Sequence, residues 1–395
     1  MAKKIYLDNA ASTPIDKKVA VEMARAVKLY GNPSSYNDRG REAREYIEKA
    51  RLKVARFLGA HSDEIIFTAS GTESNNLAIL GLANLRGKGE IISTPIEHPS
   101  VLRPLEFLKR KGRNVKFIKV DKEGVVDPDD LKNKLSSRTV LVSVMYANNE
   151  IGTIEPILRV SKIIKEFTNS LEIRNSKLEI GGTRPVLFHT DACQATEYLN
   201  MNVNHLGADL LTFNGSKIYG PRGIGVLYKR RGVGLSPLLL GGEQESGLRA
   251  GTENLPAIGG LAVALSQIDK TEAVHPFDLR DYFIDEISKR LPDIVVNGAL
   301  GEQRLPNNVN ISVPDLTSEM LLLELDKYDI CAGSGSACTS HSVEPSHVLK
   351  AIGLEKKYLD GALRLSMGRQ TTKKDMDYVL QVLPKIIKNL KKIYK

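Results

Sequence analysis

The chain has 395 residues, 42% hydrophobic and 26% charged, which is the composition of a globular protein with one or two domains and an ample core. Its three cysteines, Cys193, Cys331 and Cys338, exclude a disulfide framework and match no zinc-binding spacing, which favours a reducing compartment. Cys193 and Cys331 lie in or beside predicted strands and are interpreted as structural. No apolar run is long enough to span a membrane, and residues 1–8 lack the apolar segment of a signal peptide, so we expect a cytoplasmic protein without a membrane partner.

The formal charge of +9 is partly local, because residues 373–395 contain seven lysines and two aspartates. Such a tail could contact an acidic partner or RNA. Its apolar residues recur at helical spacing, however, and this pattern predicts that the lysines form the solvated face of a last helix. We therefore expect no direct nucleic-acid binding.

Strand-like and helix-like segments alternate after a short arm at residues 5–7. The predicted strands are residues 65–68, 90–94, 115–120, 139–146, 188–191, 208–213 and 223–228. The predicted helices are residues 16–29, 39–58, 77–85, 98–111, 129–135, 157–167 and 255–268. Repeated β-α units imply a mostly parallel sheet with helices on both faces.

The pattern changes after about residue 271, where a smaller α+β domain is predicted. We divide the chain into an arm (1–15), a large domain (16–265) and a small domain (266–395), with which the arm and the first helix could also pack. Residues 168–184 are polar and aperiodic, and they predict a surface loop with room for a hairpin at Gly181 and Gly182. The predicted elements of the small domain are helices 277–291, 318–325, 346–352 and 373–393 and strands 308–313 and 363–367.

Five polar side chains each follow a predicted strand, namely His98, Asn149, Asp191, Gln194 and Lys217. In such sheets ligands bind beyond the carboxyl ends of the strands, so these side chains are expected to meet. An acid and a lysine there suit pyridoxal phosphate, because lysine forms a Schiff base with it and a carboxylate keeps its pyridine nitrogen protonated. Taken alone, a lysine such as Lys217 is more often a surface residue at a strand end.

Residues 65–85 have the strand–turn–helix pattern of a phosphate-binding site. Ser70, Gly71 and Thr72 would place free backbone N–H groups at the start of a helix, where the helix dipole also favours an anion. The alternative is an ordinary helix cap by Ser70 or Thr72, without a ligand. Further along, residues 239–252 are glycine-rich, charged and too polar for a core, which predicts a functional role or a subunit contact.

Taken together and in this order, these segments resemble the cysteine desulfurases of the NifS/IscS type, which are class V, fold-type I pyridoxal-phosphate enzymes. The likeness runs from Tyr6 to Arg369, nearly the whole chain. It implies an α/β fold, with a mostly parallel seven-stranded sheet flanked by helices in the large domain and a smaller α+β C-terminal domain that carries the cysteine loop. The matching stretches are residues 31–35 (GNPSS), 71–76 (GTESNN), 97–98 (EH), 148–153 (NNEIGT), 191–194 (DACQ), 217–221 (KIYGP), 249–254 (RAGTEN) and 333–338 (GSGSAC).

The resemblance implies pyridoxal 5'-phosphate as the cofactor. Lys217 would hold it as a Schiff base, Asp191 would pair with its pyridine nitrogen, and Gln194 would donate a hydrogen bond to its phenolic oxygen. His98 would stack on its ring and assist proton transfer. The other candidate cofactor-binding residues are Gly71, Thr72, Asn149, Asn214, Ser216 and, from the neighbouring subunit of a homodimer, Thr252.

The resemblance also assigns residues to a substrate, L-cysteine. Asn149 and Arg364 would hold its carboxylate, Arg364 through a bidentate fork, and Asn9 is a further candidate for substrate binding. Cys338, whose small neighbours predict an exposed loop, would attack the substrate sulfur and carry the persulfide, and it could also ligate a transferred iron–sulfur cluster; no resident metal is expected. The implied catalytic residues are Lys217, Cys338 and His98.

Two motifs depart from the family pattern, both on the phosphate side. The family usually has Ser-x-His-Lys, whereas residues 214–217 read Asn-Gly-Ser-Lys and lack the imidazole. Ser216 can still donate one hydrogen bond, but not a charge-assisted one. Residues 69–72 read Ala-Ser-Gly-Thr, where the family usually has Ser-Gly and a small residue before Thr. Both changes bear on the tightness of cofactor binding more than on the reaction.

The expected reaction converts L-cysteine to L-alanine and leaves a persulfide on Cys338. An iron–sulfur scaffold protein or a sulfur-carrier protein would accept this sulfur, for iron–sulfur cluster assembly or tRNA thiolation. Within the enzymes, the alternatives are a selenocysteine lyase or another class V enzyme such as an aminotransferase, which needs no thiol. A different class of function is a sulfur-relay or scaffold partner with impaired cofactor binding.

Overall fold

The computed structural model describes residues 4–177, 185–268, 274–335 and 345–393. Within these ranges, no helix is both long and apolar enough to cross a lipid bilayer. The strands are β1 (Ile5–Tyr6), β2 (Ile65–Thr68), β3 (Glu90–Ser93), β4 (Val115–Phe117), β5 (Thr139–Ser143), β6 (Leu187–Asp191), β7 (Leu210–Asn214), β8 (Gly225–Lys229), β9 (Val295–Val296), β10 (Asn308–Ser312), β11 (Ile330–Cys331) and β12 (Ala362–Ser366).

The helices are α1 (Lys17–Ala26), α2 (Asp38–Leu58), α3 (Gly71–Asn76), α4 (Leu82–Arg86), α5 (Pro99–Arg110), α6 (Pro128–Lys134), α7 (Ile157–Lys177), α8 (Val203–Leu206), α9 (Leu255–Ser266), α10 (Val274–Arg290), α11 (Ser318–Asp326), α12 (His347–Ala351), α13 (Lys356–Leu359) and α14 (Lys373–Ile393). A π-helical turn, Leu77–Gly81, joins α3 to α4, so the chain is helical without interruption from residue 71 to residue 86.

A seven-stranded sheet forms the centre of the large domain, with its strands in the order β2-β8-β7-β6-β5-β3-β4. Strand β8 runs antiparallel to both of its neighbours, and the other pairs are parallel. Side chains alternate between two apolar layers, so that Leu187 packs in one cluster with Leu210, and Phe188 packs in the other with Leu211. Apolar layers on both faces are typical of a parallel sheet covered by helices. The predicted seven-stranded, mostly parallel sheet is confirmed.

The small domain is built on a three-stranded antiparallel sheet, β12-β10-β9, which α10, α11 and α14 cover with apolar side chains. The N-terminal arm packs with this domain, because β1 pairs in parallel with β11 and Leu7 is buried in the same apolar cluster. Helix α1 differs from the expectation for the first helix. It packs on α9 of the large domain and buries Val19 there, and its Glu22 accepts a hydrogen bond of 2.7 Å from the Tyr46 hydroxyl of α2.

Helix α7 is longer than the sequence predicted, since it continues to Lys177, the last described residue before the gap. The predicted surface loop at residues 168–184 is therefore wrong for residues 168–177. This stretch contains neither glycine nor proline, so nothing breaks the helix where its apolar periodicity fades. Gly181 and Gly182, the site of the predicted hairpin, lie outside the described residues.

Two helices begin at the sheet edge where the parallel strands end. Helix α3 directly follows β2, and Ser70 caps it by accepting a hydrogen bond from the backbone N–H of Glu73 at 3.2 Å. Helix α5 follows β3, and His98 caps it through its imidazole. The starts of both helices thus face the carboxyl ends of β5, β6 and β7, where α/β sheets bind their ligands.

Candidate active site

A cavity of about 230 Å³ lies at this edge of the sheet. The large domain, the arm and strand β12 of the small domain all contribute to it. Ala10, Ala11, Asn75, Ser100 and Cys193 are among its other lining residues. Ten of the predicted site residues line it, namely Gly71, Thr72, His98, Asn149, Asp191, Gln194, Asn214, Ser216, Lys217 and Arg364.

Lys217 lies in a single 3₁₀ turn, residues 215–217, that follows β7. Its Nζ donates hydrogen bonds to the carbonyl oxygens of Ala10, at 2.8 Å, and Ala11. The Ala10 carbonyl also accepts a hydrogen bond from Nε2 of Gln194 at 2.9 Å. The arm therefore fixes both side chains at one wall of the cavity.

Asp191 is the last residue of β6 and is 6% exposed. Its Oδ2 accepts a hydrogen bond from Nδ2 of Asn75 at 2.7 Å, and its Oδ1 accepts one from the backbone N–H of Cys193 at 3.0 Å. Two donors hold this buried carboxylate in one place. A fixed carboxylate is the partner that a protonated ring nitrogen in the cavity requires.

The imidazole of His98 is neutral at neutral pH. Burial lowers the pKa of His98, the negative charge of Asp191 offsets part of this effect, and the positive charge of Lys217 adds to it. Nδ1 of the ring accepts a hydrogen bond from the backbone N–H of Ser100 at 3.1 Å. His98 is thus both the cap of α5 and a wall of the cavity.

The predicted phosphate side of the cavity is formed at the start of α3. A larger residue at position 71 would displace its neighbours, because a Cβ there would lie 2.8 Å from Sγ of Cys193 and 3.0 Å from Nδ2 of Asn214. Asn214 in turn accepts a hydrogen bond from Oγ of Ser216 at 3.1 Å. The space without a side chain, the backbone N–H groups of the helix start and the hydroxyl of Thr72 suit an anion.

The donor set of the cavity fits pyridoxal phosphate. Lys217 offers an amine for its aldehyde, Asp191 a carboxylate for its ring nitrogen and Gln194 an amide for its phenolic oxygen, all bordering one cavity. The bare helix start at Gly71 leaves space for the phosphate.

Arg364 lies in β12 and is 1% exposed, so its guanidinium must find its partners inside the protein. Nη1 donates to the carbonyl oxygen of Asn149 at 2.9 Å, and Nη2 donates to Oδ1 of Asp8 at 2.8 Å. Among the described residues, the buried Nε has no hydrogen-bond partner. A guanidinium that lines a cavity and retains N–H donors can bind a carboxylate there.

Three predicted site residues are not part of this lining as far as the structure describes the chain. Asn9 uses its amide elsewhere, since Nδ2 donates to the carbonyl oxygen of Ser366 at 2.8 Å. Thr252 is exposed and borders a separate cleft beside Arg249. Cys338 lies outside the described residues. The roles assigned to these residues stay predictions.

The thiols of the two described cysteines are protonated at neutral pH. Burial raises the pKa of Cys193, and the charge of Asp191 raises it further. Burial also raises the pKa of Cys331. Protonated thiols are poor nucleophiles, which agrees with the structural interpretation of both residues.

Sequence reasoning missed four residues that contact the predicted site, namely Asp8, Asn75, Ser100 and Cys193. Asn75 follows Gly71 by four residues on the same helix, and Ser100 follows His98 by two at the start of α5. These short spacings placed both residues near the site. The hydrogen bonds of Asn75 to Ser100 and to Asp191 join different elements, however, and no local pattern identifies them.

Comparison with known proteins identifies the family of the chain. The sequence model of the family "Aminotransferase class-V" matches residues 5–173 and 176–379. A protein of Dictyoglomus turgidum named "Cysteine desulfurase IscS" is 46% identical over 400 residues, which cover 100% of this chain and 97% of that protein.

Solved structures resemble the whole chain. A structure titled "NIFS-LIKE PROTEIN" has a TM-score of 0.88 at 34% identity and covers 98% of this chain and 100% of its own. A structure titled "SspA in complex with cysteine" has a TM-score of 0.78 at 33% identity and covers 92% of this chain and 99% of its own.

Proposed function

The chain belongs to the class V aminotransferase family and, within it, to the cysteine desulfurases of the NifS/IscS type, and from this premise we propose that it removes sulfur from L-cysteine. The products are L-alanine and an enzyme-bound persulfide. The observation that carries the proposal is the meeting of Lys217, Asp191 and Arg364 in one cavity, because the reaction needs an amine, a buried carboxylate and a carboxylate-binding cation at the same place. The solved relative with bound cysteine supports this choice of substrate.

Pyridoxal phosphate is the cofactor of the proposed reaction, and when bound it supplies the electron sink that stabilises charge at the substrate Cα. Lys217 would hold it through Nζ, Asp191 and Gln194 would orient its ring, and the start of α3 would hold its phosphate together with Ser216. Once the amino group of the substrate has displaced Nζ from the cofactor, the freed Nζ of Lys217 removes the proton from the substrate Cα. Lys217 is suited to this because its Nζ already reaches the cavity wall at Ala10.

Arg364 and Asn149 orient the substrate by its carboxylate. Arg364 is held by Asp8 and by the Asn149 carbonyl, so its position is fixed before the substrate arrives. A preoriented guanidinium restricts the substrate to one pose and shortens the path of the Cα proton to Lys217.

The sulfur-accepting residue of the proposal is Cys338. The nearest described part of its segment begins at Gly333, whose backbone exchanges hydrogen bonds of 3.0 and 2.7 Å with Arg364. The chain towards Cys338 therefore starts beside the residue that binds the substrate. The Cys338 thiolate forms a new S–S bond to the substrate sulfur while the Cβ–S bond breaks. The electron pair of the broken bond stays on carbon, which takes up a proton to become the methyl group of alanine.

We further propose a cytoplasmic homodimer in which Thr252 of the partner subunit contacts the cofactor phosphate. Its exposure in one chain and the glycine-rich segment around it are compatible with a subunit contact. The persulfide then passes to an iron–sulfur scaffold protein or a sulfur-carrier protein.

The test measures alanine and persulfide formed by the purified protein, loaded with pyridoxal phosphate and given L-cysteine. We expect both products, and we expect Lys217→Ala to lose the visible absorbance of the bound cofactor together with alanine formation. Retained turnover in that variant would refute the role of Lys217. Selenocysteine as the only accepted substrate would favour the lyase, and a wild-type protein without cofactor absorbance would favour the relay protein.

A further inference from the structure

A continuous chain of hydrogen bonds links the Asp191 carboxylate to the His98 imidazole through Asn75 and Ser100. Nδ2 of Asn75 lies 2.7 Å from Oδ2 of Asp191 and 2.8 Å from Oγ of Ser100. Oγ of Ser100 lies 2.7 Å from Nδ1 of His98. These hydrogen bonds run from β6 through α3 to α5, so they connect three elements that meet at the cavity.

The direction of the last link follows from a backbone donor. The N–H of Ser100 can only donate, and it is directed at Nδ1 of His98 at 3.1 Å. Nδ1 therefore carries a lone pair, and the neutral ring has its proton on Nε2. The hydroxyl of Ser100 also faces Nδ1, so it must donate to the same lone pair, and its oxygen is then free to accept.

Asn75 supplies the donor that the Ser100 oxygen accepts. The amide cannot be reversed, because its Oδ1 would then face the Asp191 carboxylate, and two acceptors would meet. Both N–H groups of Asn75 are therefore used, one on Asp191 and one on Ser100. Its buried Oδ1 has no hydrogen-bond partner in the described ranges. Leaving a buried oxygen unpaired is unfavourable, so the orientation of this side chain must be set by its two N–H contacts.

We propose that Asn75 and Ser100 are positioning residues, which keep Nδ1 of His98 an acceptor so that the ring stays neutral and presents its Nε2–H to the cavity. Without Asn75, the Ser100 hydroxyl could rotate and accept a proton from Nδ1, and the imidazole could become charged. The part that His98 plays in the reaction rests on the proposed function. His98 then serves as a donor from Nε2, and Lys217 is the group that removes the Cα proton.

The first measurement follows the protonation of His98 by NMR. The full chain, loaded with pyridoxal phosphate and ¹⁵N-labelled at its seven histidines, gives long-range ¹H–¹⁵N spectra in which His98→Gln identifies the His98 signals. We expect Nδ1 to be unprotonated in the wild type at neutral pH. In Asn75→Ala and in Ser100→Ala, the protonation equilibrium of Nδ1 should shift about tenfold towards the protonated form, as the loss of one hydrogen bond implies. The protonation midpoint should therefore lie about one pH unit higher than in the wild type.

Two variants serve as controls. Ser100→Thr keeps the hydroxyl and should keep Nδ1 unprotonated at neutral pH. Asn76→Ala removes the next asparagine of the same helical segment. Nδ2 of Asn76 donates to the carbonyl oxygen of Thr72 at 2.8 Å, so Asn76 contributes no hydrogen bond to the link between Asp191 and His98. Asp191, Lys217 and His347 are the charged or titratable groups that act on His98, and all variants retain them.

The second measurement is steady-state kinetics with L-cysteine. We expect kcat to fall by about 10-fold in both alanine variants with little change in KM, by analogy with metal-binding histidines, for which loss of the orienting partner costs about 10–100-fold. An unchanged protonation of Nδ1 in both alanine variants would overturn the inference, whatever happens to kcat. If the wild type makes no alanine while Nδ1 responds as expected, the proposed function fails and the positioning role stands.

Discussion

Oδ1 of Asp8 lies 2.8 Å from Nη2 of Arg364, although 356 positions of the chain separate the two residues. This contact joins the N-terminal arm to the last strand of the small domain at the edge of the cavity. Gly333 packs against the pair so closely that a Cβ there would lie 2.6 Å from Oδ1 of Asp8 and 2.9 Å from Nη2 of Arg364. Gly333, at the start of the segment that leads to Cys338, therefore contacts Arg364, the residue proposed to bind the substrate.

The first prediction concerns Asp8→Ala. Removing one partner of a largely buried ion pair leaves the Arg364 guanidinium with one fewer fixed contact, so it should bind the substrate carboxylate less well. We expect KM for L-cysteine to rise by about 10-fold, with a smaller change in kcat, as the loss of a charge-assisted hydrogen bond suggests. Steady-state kinetics measure both constants. Asp16→Ala, at the exposed cap of α1, is the control and should leave both constants near those of the wild type. An unchanged KM in Asp8→Ala would show that Asp8 does not position Arg364.

Much of the fold was predictable because it depends on local patterns. Apolar runs and helical periodicity identified the seven strands of the large sheet, and the rule that ligands bind at their carboxyl ends brought ten predicted residues to one cavity. The Asp8–Arg364 pair was not predictable, since its partners are distant in sequence. The extension of α7 to Lys177 was missed because helix periodicity is weak in its last turns, where only the absence of breakers signals that the helix continues.

The second prediction concerns Glu155, whose carboxyl group is buried. Burial raises the pKa of Glu155 to about 8, with only a hydrogen bond of 2.9 Å from the Val126 N–H acting against it. Below the ordinary value of 4.5, both the folded and the unfolded state hold the proton. As the pH rises from there to about 8, the unfolded state loses the proton and the folded state keeps it, so stability falls by about 1.4 kcal/mol per pH unit.

Glu155→Gln removes this dependence, because glutamine does not ionise in either state. The free energy of unfolding of the variant, relative to that of the wild type, should therefore increase between pH 5 and pH 8 and level off above. Chemical denaturation at matched pH values measures this difference and cancels the other ionisable groups. A difference that does not change with pH would contradict the raised pKa.

The third prediction concerns the departure at Ser216. Its hydroxyl lines the phosphate side and donates to Asn214, so it offers the phosphate only a neutral group. Ser216→His would add a donor that can be charged, and a hydrogen bond to a charged group contributes about 1.5–3 kcal/mol. We expect a lower dissociation constant for pyridoxal phosphate, measured by absorbance titration. Pyridoxal, which lacks the phosphate, is the control ligand and should show no gain. Equal gains for both ligands would mean that the new side chain acts elsewhere.

The fourth prediction separates the cofactor chemistry from sulfur transfer. Lys217, Asp191 and His98 line the cavity together, and the binding of pyridoxal phosphate and L-cysteine requires no thiol. Cys338→Ser should therefore bind the cofactor, stay coloured and still respond to L-cysteine by a change in absorbance. It should form no persulfide and no alanine, because a serine hydroxyl is barely ionised near neutral pH and is a poor nucleophile towards sulfur.

Cys331→Ser is the matched control, since Cys331 lies in β11 and burial raises its pKa. A thiol held protonated in a strand is not expected to attack the substrate, so this variant should keep both products apart from any loss of stability. Alkylation-trapped persulfide, located by mass spectrometry, and alanine release are measured on both variants. A persulfide on Cys331 or Cys193, or alanine release by Cys338→Ser at the wild-type rate, would assign the sulfur-carrying role to another residue. Loss of colour in Cys338→Ser would instead show that the two halves of the reaction are not separable at this residue.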